Sequence, residues 1–210
     1  MGPLALPYFR TGRERLCMRT LLIEPSSGDH RASELVASTL QESGHEVVRC
    51  HERDAPAFPC KGLTHEGCPL EGPPVHAVVA IRDKPTAAPT AQESGITCAL
   101  RVGLPVVVIG DQEPSPGPLA EWTEVCDDAA ALPAAISRAV DAVSQRRAEP
   151  LLVEARRVLA IEGVDGGEVT VEVHRESDVA KITVTTEHQL DERVAGIVAT
   201  RVHAVDSGGA

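Results

Sequence analysis

Short runs of branched apolar residues alternate along this chain with stretches where apolar residues return every three or four positions. Leu21-Leu22-Ile23 reads as a buried strand, and Pro25-Ser26-Ser27-Gly28-Asp29 carries turn chemistry. Asp29 suits the cap of a helix running to about Glu42, with Leu35, Val36, Thr39 and Leu40 on one face. Ser43-Gly44 ends that helix, and Glu46 to Arg49 begins a second strand. A third strand is expected at His76 to Ile81, a helix from about Thr90 to Arg101, and a buried strand over Pro105 to Gly110. A short strand near Thr123 to Cys126 leads to a helix from about Ala130 to Arg146, with Leu132, Ile136, Val140 and Val143 inward.

Strands that alternate with helices predict a parallel sheet covered on both faces. Five strands give, as the default, a flavodoxin-like doubly wound sheet of order 2-1-3-4-5 over residues 18–147. Ligands of such folds sit beyond the carboxyl ends of the strands, here near Glu24, Asp83 and Asp111. After Pro150 the pattern changes. Leu151, Leu152, Ala155, Val158 and Leu159 make a helical stripe, while Val169, Val171 and Val173, then Ile182 and Val184, alternate with polar residues. Glu176-Ser177-Asp178 reads as the turn between two strands, and Leu190, Val194, Ile197, Val198 and Val202 mark a last helix. Residues 148–206 are thus expected to form a small α-β-β-α module, followed by a disordered tail at 207–210.

The apolar share of 42% allows a real core, but aromatics are 2% of the 210 residues, so Val, Ala, Leu and Ile must build it. That scarcity of rings argues against stacking on bases, and a net charge of -11 argues against binding a phosphate backbone. No run approaches the roughly 18 apolar residues that span a bilayer. Residues 1–17 read as a disordered extension with arginines after a short apolar start, the reverse of a secretion signal, and either Met1 or Met18 could be the start. The expected compartment is the cytoplasm, with the six cysteines reduced unless a metal holds them.

The order and length of elements over 18–146 resemble the response-regulator receiver domain. LLIEPSSGDHRASELVASTLQESGHEVV is similar to that family's first strand, helix and second strand, HAVVAIRDKP to its third strand and loop, and LPVVVIGD to its fourth. The resemblance implies the wound fold without the phosphoryl chemistry. The acidic pair after the first strand is Glu24 and Pro25, and the phospho-acceptor position is Ile81, with Asp83 two residues late. Gly110 stands where a Ser or Thr is needed, and Glu124-Val125-Cys126-Asp127 supplies no lysine. Flavodoxins offer a partial likeness. Ser26, Ser27 and Gly28 could cradle an anion at a helix N-terminus, but Trp122 alone could flank a flavin. The Asp-x-His-x-x-Gly pattern of cobalamin-binding domains is not met.

The most unusual stretch interrupts strands two and three. HERDAPAFPCKGLTHEGCPLEGPP cannot run far as helix or strand, because proline and glycine recur every few positions. Cys50, Cys60 and Cys68 follow a C-x9-C-x7-C spacing, and Cys98 lies in a later helix. These four thiols could close one zinc or iron–sulfur site, with His51 or His65 as substitute ligands. Tight C-x-x-C pairs are absent, so a proline-rich loop with reduced thiols is the competing reading. Cys126 and Cys17 read as core and tail residues. No Gly-x-Ser-x-Gly or P-loop is present.

Taken together, the pattern favours a non-enzymatic regulatory or interaction protein. It would need no cofactor and no nucleic acid or membrane, and would meet a protein partner or its own copy through 148–206. A metal- or cluster-binding sensor is the first alternative, and a flavin- or nucleotide-binding enzyme at the strand ends the second.

Overall fold

In a computed structural model of the chain, residues 17–25, 30–51, 59–82, 94–110, 121–176 and 179–208 are described. The sheet is the expected one. Strands β1 (Arg19–Ile23), β2 (Glu46–Arg49), β3 (Ala77–Arg82), β4 (Val106–Gly110) and β5 (Glu124–Cys126) run parallel in the order β2-β1-β3-β4-β5. The registers pair Leu22 with Val79 and Val79 with Val107, so the centre of the sheet is continuous aliphatic surface. Strands buried on both faces show unbroken apolar runs, which is why these segments were readable as strands.

One face is covered by helix α1 (His30–Glu42) and by the first half of helix α3 (Leu132–Ile161), which enclose Leu22, Val79, Val107 and Ile109. On α1 the inward residues are Ser33, Val36, Ala37 and Leu40. Leu35, expected inward, is 58% exposed. The helix is rotated so that the small Ala37 and Ser33 face the sheet and permit a close approach. The other face is covered by helix α2 (Ser94–Arg101) through Ile96 and Ala99, together with Val75 and Leu70 of the loop before β3. Helices α1 and α2 close alike. Gly44 and Gly103 take positive φ, of 86° and 69°, and the next residues, His45 and Leu104, donate back to the carbonyls of Leu40 and Ala99. Among the described residues no helix is long and apolar enough to cross a membrane.

The sequence pattern separates two helices at Pro150, but the structure joins them. Helix α3 runs unbroken through the proline, packing Leu132, Ala135, Ile136 and Ala139 on the sheet and Leu151, Ala155, Val158 and Leu159 on a second core. A proline inside a helix removes one hydrogen bond and crowds the preceding turn. Anchoring at both ends offsets that cost. The second core is completed by an antiparallel hairpin, β6 (Val169–Glu176) and β7 (Val179–Thr186), and by helix α4 (Glu192–Gly208). Glu176 pairs with Val179, so the turn falls on residues 177 and 178, which lie outside the described residues. Asp191 caps α4 by accepting from the Val194 amide at 3.0 Å. The helix continues through Ser207 and Gly208, where a tail was expected, because no proline or packed turn stops it earlier.

Candidate functional site at the strand ends and the cysteine loop

Two places could carry chemistry: the carboxyl edge of the sheet, and the loop between β2 and β3. At the edge, β1 ends in Ile23-Glu24 and β2 in Arg49, and their parallel pairing brings the two charged groups together. The Arg49 Nε donates to the Glu24 carboxylate at 2.6 Å, with both side chains mostly shielded. Among the described residues, the one carboxylate directly after β1 is therefore committed to a guanidinium. Strand β3 extends one residue past Ile81, to Arg82, which is 4% exposed. Its register partner is Gly110. Gly110 has φ +108°, and a Cβ there would lie 2.2 Å from the Arg82 carbonyl oxygen. Only glycine fits that conformation and that approach. The backbone of β4 thus closes directly over the end of β3.

Asp83, Asp111 and the anion-loop candidates Ser26, Ser27 and Gly28 lie outside the described residues, as does the proposed cap Asp29. Trp122 lies two residues before the start of β5, so it stands at the amino end of that strand rather than at the carboxyl edge. Its exposed ring has the Arg146 guanidinium 5.1 Å from its centroid. That arrangement ties it to α3 and keeps it from flanking a ligand at the opposite edge.

In the loop, an ordinary α/β crossover would place a helix. The described part, residues 59–76, holds a single 3-10 turn at Lys61–Leu63, and residues 62–67 are exposed. Backbone bonds draw it toward β2. The Lys61 amide donates to the Cys50 carbonyl at 3.0 Å, which brings Cys60 and Lys61 against the end of that strand. Cys68 folds back over the 3-10 turn, so that a Cβ on Gly62 would lie 3.1 Å from the Cys68 Cβ and 3.6 Å from its Sγ. Helix α2 reaches the same region because Gly95 lies against Ile23, where a Cβ would come within 2.7 Å of the Ile23 Cδ1. Cys50 packs against the core formed by Ile96 and Ala99, and Cys98 lies between those two on α2.

Four thiols from β2, the loop and α2 therefore share one neighbourhood. Burial, then the neighbouring thiols of Cys68, Cys60 and Cys98, push the Cys50 thiol up to about 12, with Lys61 acting in the opposite sense. Cys50, Cys60 and Cys68 are half-buried and Cys98 is exposed, and all are free thiols. His51 Nδ1 is buried without a hydrogen-bond partner, and burial followed by the Lys61 charge lowers the pKa of its ring. His65 is exposed. Among the described residues no three His, Cys, Asp or Glu side chains stand close enough together to hold an ion as they are. Cys126 is buried, its Sγ donating to the Asp128 carbonyl at 2.9 Å, and Cys17 is exposed at the start of the described chain.

Sequence reasoning missed three features of these two places. Arg82 was assigned to the loop after β3, though a lone cation closing an apolar strand was a usable signal. The Glu24–Arg49 pair needed the strand register, and the fit of Gly62 under Cys68 had no signal in the sequence. No protein-family model, no characterised protein and no solved structure matches this chain.

Proposed function

We propose that this chain is a non-enzymatic regulatory protein: a receiver-like sheet that no longer accepts a phosphoryl group, joined to a module that docks on a protein surface. The observation that carries this reading is the occupied carboxyl edge. Phosphoryl transfer to an aspartate needs a divalent cation between the acceptor and a neighbouring acid. Here the only described acid at the end of β1, Glu24, is bonded to Arg49. The end of β3 carries Arg82, a buried cationic residue, at the strand end where a receiver places its acceptor aspartate.

The docking part of the reading is supported by residues of α3 that the second core leaves uncovered. Val153 and Ile161 are 63% and 67% exposed and lie two turns apart on the helix. Two apolar side chains this exposed, on a helix already holding two cores, suit a protein contact. A groove of about 490 Å³ follows the same helix, lined by Arg146, Glu149, Leu152 and Val171 among others.

The test is to incubate the full chain with a small acyl phosphate and magnesium, and to weigh the intact protein. No mass increase is expected. Stoichiometric phosphorylation would overturn the proposal. Sedimentation of wild type and a Val153→Asp/Ile161→Asp variant, alone and with captured partner, tests the docking part. Identical association by both proteins would refute it.

A further inference from the structure

We infer that Cys50, Cys60, Cys68 and Cys98 form a tetrathiolate site for one zinc(II) ion, which clasps the loop between β2 and β3 onto helix α2. The argument starts from what the loop lacks. A parallel crossover is ordinarily ordered by a helix that buries an apolar stripe on the sheet. Here residues 62–67 are exposed, and among the described residues the loop contributes Val75 and, in part, Leu70 to the core beneath it. Irregular segments of this length inside a compact domain are uncommon unless they are functional. Beyond Val75 and Leu70, the described part is held by backbone bonds such as that from the Lys61 amide to the Cys50 carbonyl.

The placement of the cysteines supplies a candidate. They come from three separate elements, and the backbone brings each to the same corner. Cys50 ends β2, Cys60 is carried there by the bond from the Lys61 amide to the Cys50 carbonyl, and Cys68 rests on Gly62. Cys98, exposed on α2, is close enough for its charge to act on Cys50. The two cysteines outside this corner are Cys17 and the buried Cys126, which already donates to Asp128. Thiolates are the donors zinc takes in closed structural sites, at about 2.3 Å. The sulfurs stand wider than that as they are, so ligation requires the loop to close on the ion. In that case binding free energy becomes ordering free energy for the loop.

A single zinc ion is the simpler occupant, since it needs four thiolate donors and no inorganic sulfide. A zinc ion with four thiolates carries a net charge of -2. Lys61, in a 3-10 turn between two of the ligands and 3.0 Å from Glu66, is placed to offset part of it. Binding converts four thiols to thiolates and releases up to four protons per zinc, so uptake weakens as pH falls. No oxidant or reductant is involved. His51 Nδ1, buried beside Cys50 without a partner, is a further polar group whose surroundings are incomplete without an added ligand.

The experiment uses the full chain, reduced, stripped with a chelator and kept free of oxygen. Zinc is titrated against a chromophoric competitor, and cobalt(II) is added separately for its visible spectrum. One equivalent of zinc per chain, proton release and an intense tetrahedral cobalt–thiolate spectrum are expected. Cys60→Ser in the loop and Cys98→Ser at the exposed position on α2 should each weaken zinc by more than the ~10–100-fold loss typical of an outer-shell contact. Cys17→Ser should leave binding unchanged. Circular dichroism of the stripped variants shows whether they fold. Substoichiometric zinc, or wild-type affinity in a folded Cys60→Ser variant, would overturn the inference. So would iron–sulfur absorbance after anaerobic purification, or a disulfide among the four in place of zinc uptake.

Discussion

Replacing Pro150 with alanine should stabilise the protein, because α3 passes through this residue without ending. Proline at an interior helix position deprives the carbonyl of Arg146, four residues back, of its donor, and it crowds that turn. Against alanine this costs about 3 kcal/mol. Pro150 itself is exposed, so the substitution removes no core contact. The opposing term is the greater freedom of the unfolded chain once proline is gone, worth about 0.4–1 kcal/mol. The net gain is therefore about 2–3 kcal/mol. In a protein of this size each kcal/mol moves the melting temperature by roughly 2–4 °C, so a rise of about 5–10 °C is expected.

The assay is thermal and urea unfolding followed by two probes. Far-ultraviolet circular dichroism reports all helices, while fluorescence of Trp122, the single tryptophan, reports the sheet end of α3 through its contact with Arg146. With one rigid helix joining the cores, both probes should shift upward together. A change within about 0.5 kcal/mol, the range of an ordinary surface substitution, would refute the reasoning. It would mean that the helix is broken at residue 150 in solution, giving the two separate helices that the apolar pattern suggests.

Other consequences are equally direct. Gly110→Ala should cost more than about 3 kcal/mol in urea unfolding, since a Cβ would meet the Arg82 carbonyl at 2.2 Å, whereas Gly103→Ala, at positive φ but with open space, should cost about 1–2 kcal/mol. Equal losses would show that backbone conformation alone sets both. Glu154, 8% exposed, accepts two 2.7 Å bonds from Arg157 and one of 3.0 Å from Arg201. Bonding to Arg157, then Arg201, holds its carboxyl at about 2, below the ordinary 4.5. The depressed value means that its contribution is complete above pH 4.5 and is lost as pH falls toward 2, so the stability gap between wild type and Glu154→Gln should narrow over that interval. A gap that stays constant from neutral pH to below 2 would contradict this. Leu151→Ala, at a position 1% exposed in the second core, should cost about 2–5 kcal/mol by urea unfolding.

Where the chain's own chemistry admitted a single solution, the sequence was sufficient. Val106 to Ile109 and Ala77 to Ile81 are apolar on every residue, and only a strand covered on both faces accommodates that pattern. Small residues were harder to place. The inward face of α1 uses Ser33 and Ala37 and turns Leu35 out, because alanine gives little signal of which way it points. The same uncertainty shifted the inward face of α3 toward Ala135 and Ala139, leaving Val140 only partly buried. Pro150 misled for a different reason: a local breaker was overruled by packing on both sides of it, through Ala139 and earlier residues on the sheet and through Leu151 and Ala155 on the second core. The cysteines of the loop were visible as a group, but their approach to one another depends on Gly62, Gly95 and the bond between Lys61 and Cys50, none of which has a sequence signature.

The two places where this sheet could act are structurally linked, which limits how the protein can work. The carboxyl edge ends in Glu24, Arg49 and Arg82, and the next residue after Arg49 is Cys50. Any movement of the loop that draws Cys50 toward its neighbouring thiols therefore pulls on the strand end that carries the ion pair with Glu24. The loop also supplies Val75 to the face beneath α2, so ordering it completes a core that β2, β1 and β3 share. The opposite face, with α1 and α3, is sealed by aliphatic residues and leads without a break into the hairpin module. A displacement at the cysteine corner thus has a physical route to the edge through Cys50 and Arg49. Its route to the module runs through the sheet and α3, the one element that belongs to both cores.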